Sequence, residues 1–144
     1  MSQYKQGYYK LVNPEKYRGN PDKIRYMSSW ELDTHAFFDN NPMVIEWASE
    51  GIIVPYIKPT DGKVHRYMVD YWVKYVDKQG NVHVELIEVK PASQTKAPKR
   101  RKGKSSVYEQ LQYAVNVAKW EAAQAYATSK GWKFRILTEK SIFK

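Results

Sequence analysis

The sequence predicts an α/β or α+β fold, formed as one domain around a mixed β-sheet flanked by helices. Three observations predict it: a hairpin pattern across 64–90, a long helical pattern across 106–129, and a short apolar strand pattern at 132–137. An order of helix, strands, hairpin, long helix and strand is typical of helices packed on a sheet. A chain of 144 residues is long enough for one domain, 1–144, with its own core.

The chain begins with a predicted irregular arm, residues 1–27, which is rich in Tyr, Lys, Asn and Pro. A first helix is predicted at 28–40, and the polar pair and proline that follow it end it. The stretch MVIEWASEGIIVPYI then predicts two short strands, at 43–47 and 52–57, with Gly51 between them.

The hairpin is the clearest pattern in the chain. VHRYMVDYWVKYV, residues 64–76, predicts a strand, and the turn signal DKQGN at 77–81 pairs it antiparallel with a strand at 82–90. Pro91 ends the second strand, because proline cannot donate a ladder hydrogen bond.

A basic loop is predicted at 92–105, before the long helix. Ser106 and Glu109 fit a capping box at the start of that helix, and Gly131 fits its stop. Apolar residues at helical spacing, with Leu111 among them, predict its buried side.

The composition favours a polyanionic partner. The net charge is +9, and nucleic acid is the commonest partner for such an excess, with a membrane surface as the rival. No apolar run approaches the roughly 20 residues that a membrane span needs. The chain has no Cys, which excludes disulfides and thiolate metal sites and favours a cytosolic protein.

The strand VELIEVKP carries an acid and a base at its end. Side chains in a strand alternate faces, so Glu88 and Lys90 share the face of Val84 and Leu86. Alternating opposite charges are common on surface strands, so this pattern alone favours an ordinary exposed strand. Asp70 changes that balance, because aspartate is disfavoured inside an aromatic-rich strand and a buried carboxylate needs a partner.

Asp70 and Glu88 flank the hairpin at about equal distances from a turn centred near 79–80, so they should face each other across the ladder. Two like charges this close are unfavourable unless a cation lies between them. Mg²⁺ suits such a site because it takes oxygen ligands and keeps waters. The alternatives are that this face of the strand is solvated or that Asp70 pairs with Arg66 or Lys90.

Two further features point to the same chemistry. Glu31 lies near the start of the first helix, where it closes a capping box, donates to a metal site, or does both. A basic run follows the strand directly and should lie where a phosphate backbone would lie, unless it is a solvated loop. The run contains Lys96, Lys99, Arg100, Arg101, Lys102 and Lys104.

Together these residues predict metal-assisted hydrolysis of a phosphodiester bond. Asp70 and Glu88 would hold the metal, with the backbone carbonyl of Val89 as an extra ligand and Glu31 completing the shell directly or through water. Lys90 would orient the attacking water or stabilise the developing negative charge.

Asp70 followed by Glu88-Val89-Lys90 resembles the PD-(D/E)xK signature of the restriction-endonuclease-like core. The stretches SSWELDTHAFFD, VIEWASEGIIVPY, HRYMVDYWV and ELIEVKP resemble the TnsA-type endonucleases, and among those the head completion nucleases of tailed phages. The resemblance covers nearly the whole chain and implies that Glu31, Asp70, Glu88 and Lys90 are the active site. Val69 stands where the signature has proline. Gln112 matches a polar residue that some relatives place near the metal, although a surface glutamine is the simpler interpretation.

The resemblance implies a DNA endonuclease that uses Mg²⁺, for which Mn²⁺ is expected to substitute. It implies action on double-stranded DNA in phage head completion, after packaging and before tail attachment. The portal or other head-completion proteins would be partners, and the protein would be found in the host cytoplasm or with the virion. Two alternatives remain open: a non-catalytic basic DNA-binding head-completion protein, and a junction-resolving or repair nuclease on the same core.

Overall fold

A computed structural model of the protein describes residues 6–98 and 104–142. The elements in chain order are β1 Gly7–Tyr8, β2 Arg25–Tyr26, α1 Ser29–Asn40, β3 Val44–Ile57, β4 Val64–Val76, β5 Val82–Val89, α2 Lys104–Ser129, β6 Lys133–Leu137 and α3 Glu139–Ile142. Two 3₁₀ turns, Pro14–Lys16 and Ala92–Gln94, complete them.

The main sheet has the strand order β3-β4-β5-β6. The first three strands are antiparallel neighbours, and β6 lies parallel to β5 after the crossover through α2. The predicted fold class, a mixed sheet flanked by helices in an α/β domain, is confirmed. β1 and β2 form a separate small ladder.

Two apolar clusters cover the two faces of the sheet. The α1-side core packs Phe38 of α1 with Trp47 and Tyr71, and the α2-side core packs Ala123 of α2 with Leu86. Because all five of these side chains are buried, the sheet is held from both faces and the ends of its central strands are fixed in place.

The buried side chains of β4 pack in one core before Asp70 and in the other core after it. Tyr67 and Val69 pack in the α2-side core, whereas Tyr71 and Val73 pack in the α1-side core. These residues therefore do not form one continuous apolar face along the strand. Asp70 lies at the change of phase, where its side chain belongs to neither core.

The two predicted strands at 43–47 and 52–57 are one strand with a β-bulge. The register shifts between the pairs Ser49–Tyr71 and Ile52–Val69, so Glu50 and Gly51 together oppose Asp70. Glu50 has φ 54°, in the left-handed region that a non-glycine residue rarely adopts. The bulge therefore bends β3 beside the strand position that carries Asp70.

The N-terminal arm is more ordered than its composition predicts. The buried carboxylate of Asp39 accepts hydrogen bonds from the Tyr9 hydroxyl at 2.6 Å and from the backbone N–H groups of Val12 and Asn13. The Lys16 ammonium donates to three backbone carbonyls at the end of α1, at 2.8–2.9 Å. These contacts attach the arm to the C-terminal end of α1.

The long helix begins two residues earlier than predicted. Ser106 therefore lies inside α2 and is not its N-cap, and Lys104 belongs to the helix, not to the predicted loop at 92–105. The 3₁₀ turn Ala92–Gln94 occupies the start of that loop. Leu111 is 51 % exposed, so its assignment to the buried side of the helix is wrong. Within the described residues no helix has the length and apolar character needed to span a membrane.

Candidate active site

Asp70 and Glu88 meet at the end of the β4–β5 ladder. The last pair of that ladder is Tyr71–Ile87, so the same register puts Asp70 against Glu88 one position further on. The Asp70 Oδ2 atom accepts a hydrogen bond from the Val89 backbone N–H at 2.8 Å. The predicted approach of the two carboxyl groups across the hairpin is thereby matched by the structure.

Glu88 is buried and held from two sides. The Tyr67 hydroxyl donates to its Oε1 atom at 2.7 Å, and the Lys90 Nζ atom lies 3.7 Å from its Oε2 atom. The first contact fixes one carboxylate oxygen, and the second places a positive charge beside the other. The strand end thus delivers the acid and the amine to the same place, as the alternation of side chains predicts.

The surroundings disfavour negative charge on Asp70. Burial raises the pKa of Asp70, and the nearby charge of Glu88 raises it further, while the Val89 N–H lowers it. Burial likewise raises the pKa of Tyr67, so its hydroxyl stays protonated and acts as a donor to Glu88. Ionising both carboxyl groups at once is costly, and a bound cation would reduce that cost.

Glu31 takes part in the N-terminal cap of α1. Its backbone N–H donates to the Ser28 Oγ atom at 3.1 Å, which caps α1, and its Oε2 atom accepts from the Met27 N–H at 3.0 Å. Burial raises the pKa of Glu31, and the charge of Glu50 adds to this. The side chain also lines the cleft that contains Asp70.

A cleft of about 380 Å³ brings the four predicted catalytic residues together. Its walls include Glu31, Asp70, Glu88, Val89 and Lys90. These residues come from α1, β4 and β5 and are separated by up to about 60 positions in the chain, so the fold alone assembles them.

The cleft contains a further acid, Glu50, which was not among the predicted site residues. Glu50 lines the cleft from the bulge in β3, opposite Asp70. Its signal in the sequence was the polar trio Ser49-Glu50-Gly51, which interrupts an otherwise apolar strand.

Lys119 of α2 was also missed. Its Nζ atom lies 5.6 Å from the ring centre of Tyr67 and 5.9 Å from that of Tyr56. Burial lowers the pKa of Lys119, and the charge of Lys90 lowers it further. Lys119 therefore places a second positive charge behind Tyr67, near Glu88. Helical spacing on α2 gave no signal for this, because the contact depends on how the helix crosses the sheet.

Two of the remaining predicted residues lie outside the cleft. Gln112 and Lys96 line a neighbouring cavity. Lys104 starts α2. Lys99, Arg100, Arg101 and Lys102 lie outside the described residues.

The residues of the cleft fit a magnesium-type ion by their chemistry. Asp70 and Glu88 supply carboxylate oxygens, the donors that Mg²⁺ prefers, and their crowding leaves negative charge to be neutralised. With the side chains as they stand, no group of three or more His, Cys, Asp or Glu residues in the described parts of the chain converges on one point. Two carboxylates suffice for Mg²⁺, which retains several waters and takes substrate phosphates as ligands.

Comparison with known proteins adds the family to this geometry. The family model for the TnsA-like endonuclease N-terminal domain matches residues 41–139, which include β3 to β6 and the cleft residues on them. The chain belongs to the TnsA-like endonuclease family. The Head completion nuclease of Enterobacteria phage T4 is 40 % identical over 136 residues, which is 90 % of this chain and 88 % of the relative. No solved structure matches this TnsA-like chain significantly.

Proposed function

We propose that this protein is a metal-dependent DNA endonuclease that hydrolyses phosphodiester bonds during phage head completion. One observation carries the proposal: Glu31, Asp70, Glu88 and Lys90, which are far apart in the sequence, line one cleft. Membership of the TnsA-like endonuclease family supports the reaction class.

Each side chain has a role that its surroundings support. Asp70 and Glu88 would hold the metal, with the Val89 carbonyl as an additional donor and Glu31 completing the shell directly or through water. A bound Mg²⁺ would polarise a phosphoryl oxygen and lower the pKa of a bound water. Lys90, 3.7 Å from Glu88, would orient the attacking water or stabilise the charge that develops on the phosphate.

The biological setting rests on the relative from phage T4, whose name is Head completion nuclease. We infer that this protein processes double-stranded DNA after packaging and before tail attachment, with the portal or other head-completion proteins as partners. Its place would then be the host cytoplasm, where heads assemble, or the virion.

The deciding experiment is cleavage of plasmid and linear DNA in Mg²⁺, Mn²⁺, Ca²⁺ or EDTA. We expect cleavage in Mg²⁺ and Mn²⁺ and none in EDTA, and we expect Lys90→Ala to reduce the rate at least about 100-fold, within the range for one transition-state interaction. Lys74→Ala is the matched control, because Lys74 lies 3.9 Å from Glu46 in a similar ion pair outside the cleft.

Three outcomes would contradict the proposal in different ways. DNA bound without cutting by wild type and Lys90→Ala alike would favour the non-catalytic binding protein. An equal decrease in rate in Lys90→Ala and Lys74→Ala would mean that the cleft is not the active site. A preference for four-way junctions, together with a dimer in sedimentation, would favour the junction-resolving nuclease.

A further inference from the structure

A second cavity, of about 650 Å³, lies beside the catalytic cleft. It is formed between the segment 93–98 and the first turns of α2, and its volume is that of a small-ligand site. Gln94 lines both the cavity and the cleft. A group bound in the cavity would therefore be a direct neighbour of a phosphate bound in the cleft.

The cavity is lined mainly by aromatic rings and carboxamides, with Glu109 also on its wall. Tyr108, Gln112 and Asn116 follow one another at intervals of four, so they lie on one side of α2, and Tyr113 lies beside them. Gln94 adds a third carboxamide from the opposite wall. Carboxamides pair with the donor and acceptor edges of nucleobases, and tyrosine rings stack on their faces.

Asn116 contributes a carboxamide to the wall of the cavity. It is only 8 % exposed and lines the cavity. The edge of a bound base would pair with this carboxamide through its oxygen and nitrogen, as asparagine pairs with adenine.

Tyr108 supports a flat aromatic ligand. Its side chain is 67 % exposed at the mouth of the cavity, next to Val107 at 62 % and Leu111 at 51 %. Lys96, on the facing segment, places a positive charge at the same mouth, where a backbone phosphate of the same nucleotide would lie.

We propose that this cavity binds one nucleobase of the DNA substrate, from an unpaired or flipped-out nucleotide next to the phosphate in the cleft. Tyr108 stacks on the base, Asn116 and Gln112 pair with its edge, and Lys96 contacts its phosphate. The inference rests on the proposed function, because it needs DNA in the cleft. It adds that the enzyme prefers DNA in which a base is already unpaired, since unpairing a base in an intact duplex costs free energy.

The test compares two labelled duplexes in EDTA, where the metal-dependent cleavage proposed above cannot proceed. One carries a single unpaired thymidine, and the other carries an abasic nucleotide at the same position, so they differ by one base alone. We expect wild type to bind the thymidine duplex about fivefold or more tightly than the abasic duplex, the lower range for base stacking on an aromatic ring. Tyr108→Ala should bring this ratio close to one.

Two further variants make the test specific. Tyr8→Ala is the matched control, because Tyr8 is 64 % exposed and lies in β1, outside the cavity, so this variant should keep the ratio of wild type. Asn116→Ala should lower the ratio as Tyr108→Ala does. Since Asn116 is buried and Tyr108 is exposed, Tyr108→Ala gives the answer even where Asn116→Ala fails to fold.

Failure of this inference differs from failure of the proposed function. A wild-type ratio of one, or an unchanged ratio in Tyr108→Ala, would overturn the base site while Mg²⁺-dependent cleavage stands. A ratio of five or more in wild type that Tyr108→Ala abolishes, without any cleavage in Mg²⁺, would keep the base site and remove the nuclease. Absence of DNA binding in EDTA together with absence of cleavage in Mg²⁺ would overturn both.

Discussion

The Tyr67 hydroxyl is the contact that holds Glu88 in place. It donates to Glu88 at 2.7 Å from a side chain that is only 4 % exposed, so the carboxylate has little freedom to turn. Partners that orient a metal-binding carboxylate typically contribute 10- to 100-fold to metal affinity or activity. Tyr67 thus acts through Glu88 as a positioning residue.

Tyr67→Phe should therefore lower cleavage about tenfold and shift the Mg²⁺ concentration for half-maximal activity upward. A titration of cleavage rate against Mg²⁺ measures both. Tyr75→Phe is the matched control, since the Tyr75 hydroxyl donates to Glu85 away from the cleft. If the two variants shifted the Mg²⁺ dependence equally, Tyr67 would have only a general structural role.

Asp70 should make the metal-free protein less stable at higher pH. Burial and the charge of Glu88 raise its pKa above the ordinary 3.8, so the folded state holds a proton that the unfolded chain has released. Stability then falls as the pH rises from that ordinary value towards the raised one, because the folded state binds more protons than the unfolded state in this window. The sign is opposite to that of a carboxylate in a stabilising ion pair.

Asp70→Asn should remove this dependence. In EDTA we expect the variant to unfold at a higher temperature than wild type at pH 8, with the difference shrinking at pH 5, while cleavage in Mg²⁺ is abolished. Thermal unfolding at several pH values is the measurement. A difference in unfolding temperature that stays constant from pH 5 to pH 8 would show that the charge of Asp70 is not its cause.

The bulge in β3 holds a residue with a strained backbone, Glu50, beside Asp70. A non-glycine residue in the left-handed region costs about 1 kcal/mol, and Glu50 holds that conformation where β3 passes Asp70. Strain of this kind is found at functional sites when the surrounding structure holds it. Glu50 itself lines the cleft, so the bulge bends the strand and also places a carboxylate at the cleft.

Glu50→Gly should be more stable than Glu50→Ala by about 1 kcal/mol, because only glycine adopts a positive φ without steric cost. Both should have the same cleavage rate if Glu50 contributes through its carboxylate alone. Urea unfolding gives the first comparison and a cleavage assay the second. Equal stability of the two variants would mean that the backbone at this position is not strained.

The arm and α1 form a second stabilising unit through Asp39. The carboxylate is fully buried and accepts three hydrogen bonds from residues 9–13, so its removal leaves the arm without its anchor. Asp39→Ala should destabilise the protein by about 3 kcal/mol, the usual effect of breaking a buried charged network. Asp33→Ala, on the exposed side of the same helix, should change stability little.

Hydrogen exchange gives the local test of that anchor. In Asp39→Ala the amides of residues 7–17 should exchange faster than in wild type before those of β4 and β5 do. A uniform increase in exchange over the whole domain would show that the arm and the sheet unfold as one unit.

The approach of Asp70 and Glu88 could be predicted from the sequence because its geometry is local. A short turn fixes the hairpin register, and the register fixes that Asp70 opposes Glu88. The presence of Glu50 and Lys119 near the cleft could not be predicted, because a bulge and a helix crossing depend on contacts across the fold. The structured arm was missed for the same reason: Asp39 lies 26 to 30 positions from its partners.

The basic run after β5 is predicted to contact the DNA backbone. The run KAPKRRKGK follows the strand that carries Glu88 and Lys90, so a DNA backbone in the cleft would pass near it. Each phosphate that the protein neutralises contributes about 0.9 to the slope of log affinity against log salt concentration. Replacing Lys99, Arg100, Arg101 and Lys102 by Gln should weaken DNA binding and reduce that slope by roughly 0.9 for each phosphate that the variant no longer neutralises.

A second quadruple variant separates local phosphate binding from net charge. It removes the same number of positive charges from exposed lysines elsewhere: Lys23, Lys78, Lys130 and Lys133. Equilibrium binding to a short duplex at several salt concentrations gives the slope for each protein. We expect the slope to fall only for the variant in the basic run, because the slope reports the number of neutralised phosphates and long-range attraction is screened within about 10 Å at 0.1 M salt. Equal slopes for the two variants would remove the basic run from the DNA interface and leave the protein's overall charge as the source of binding.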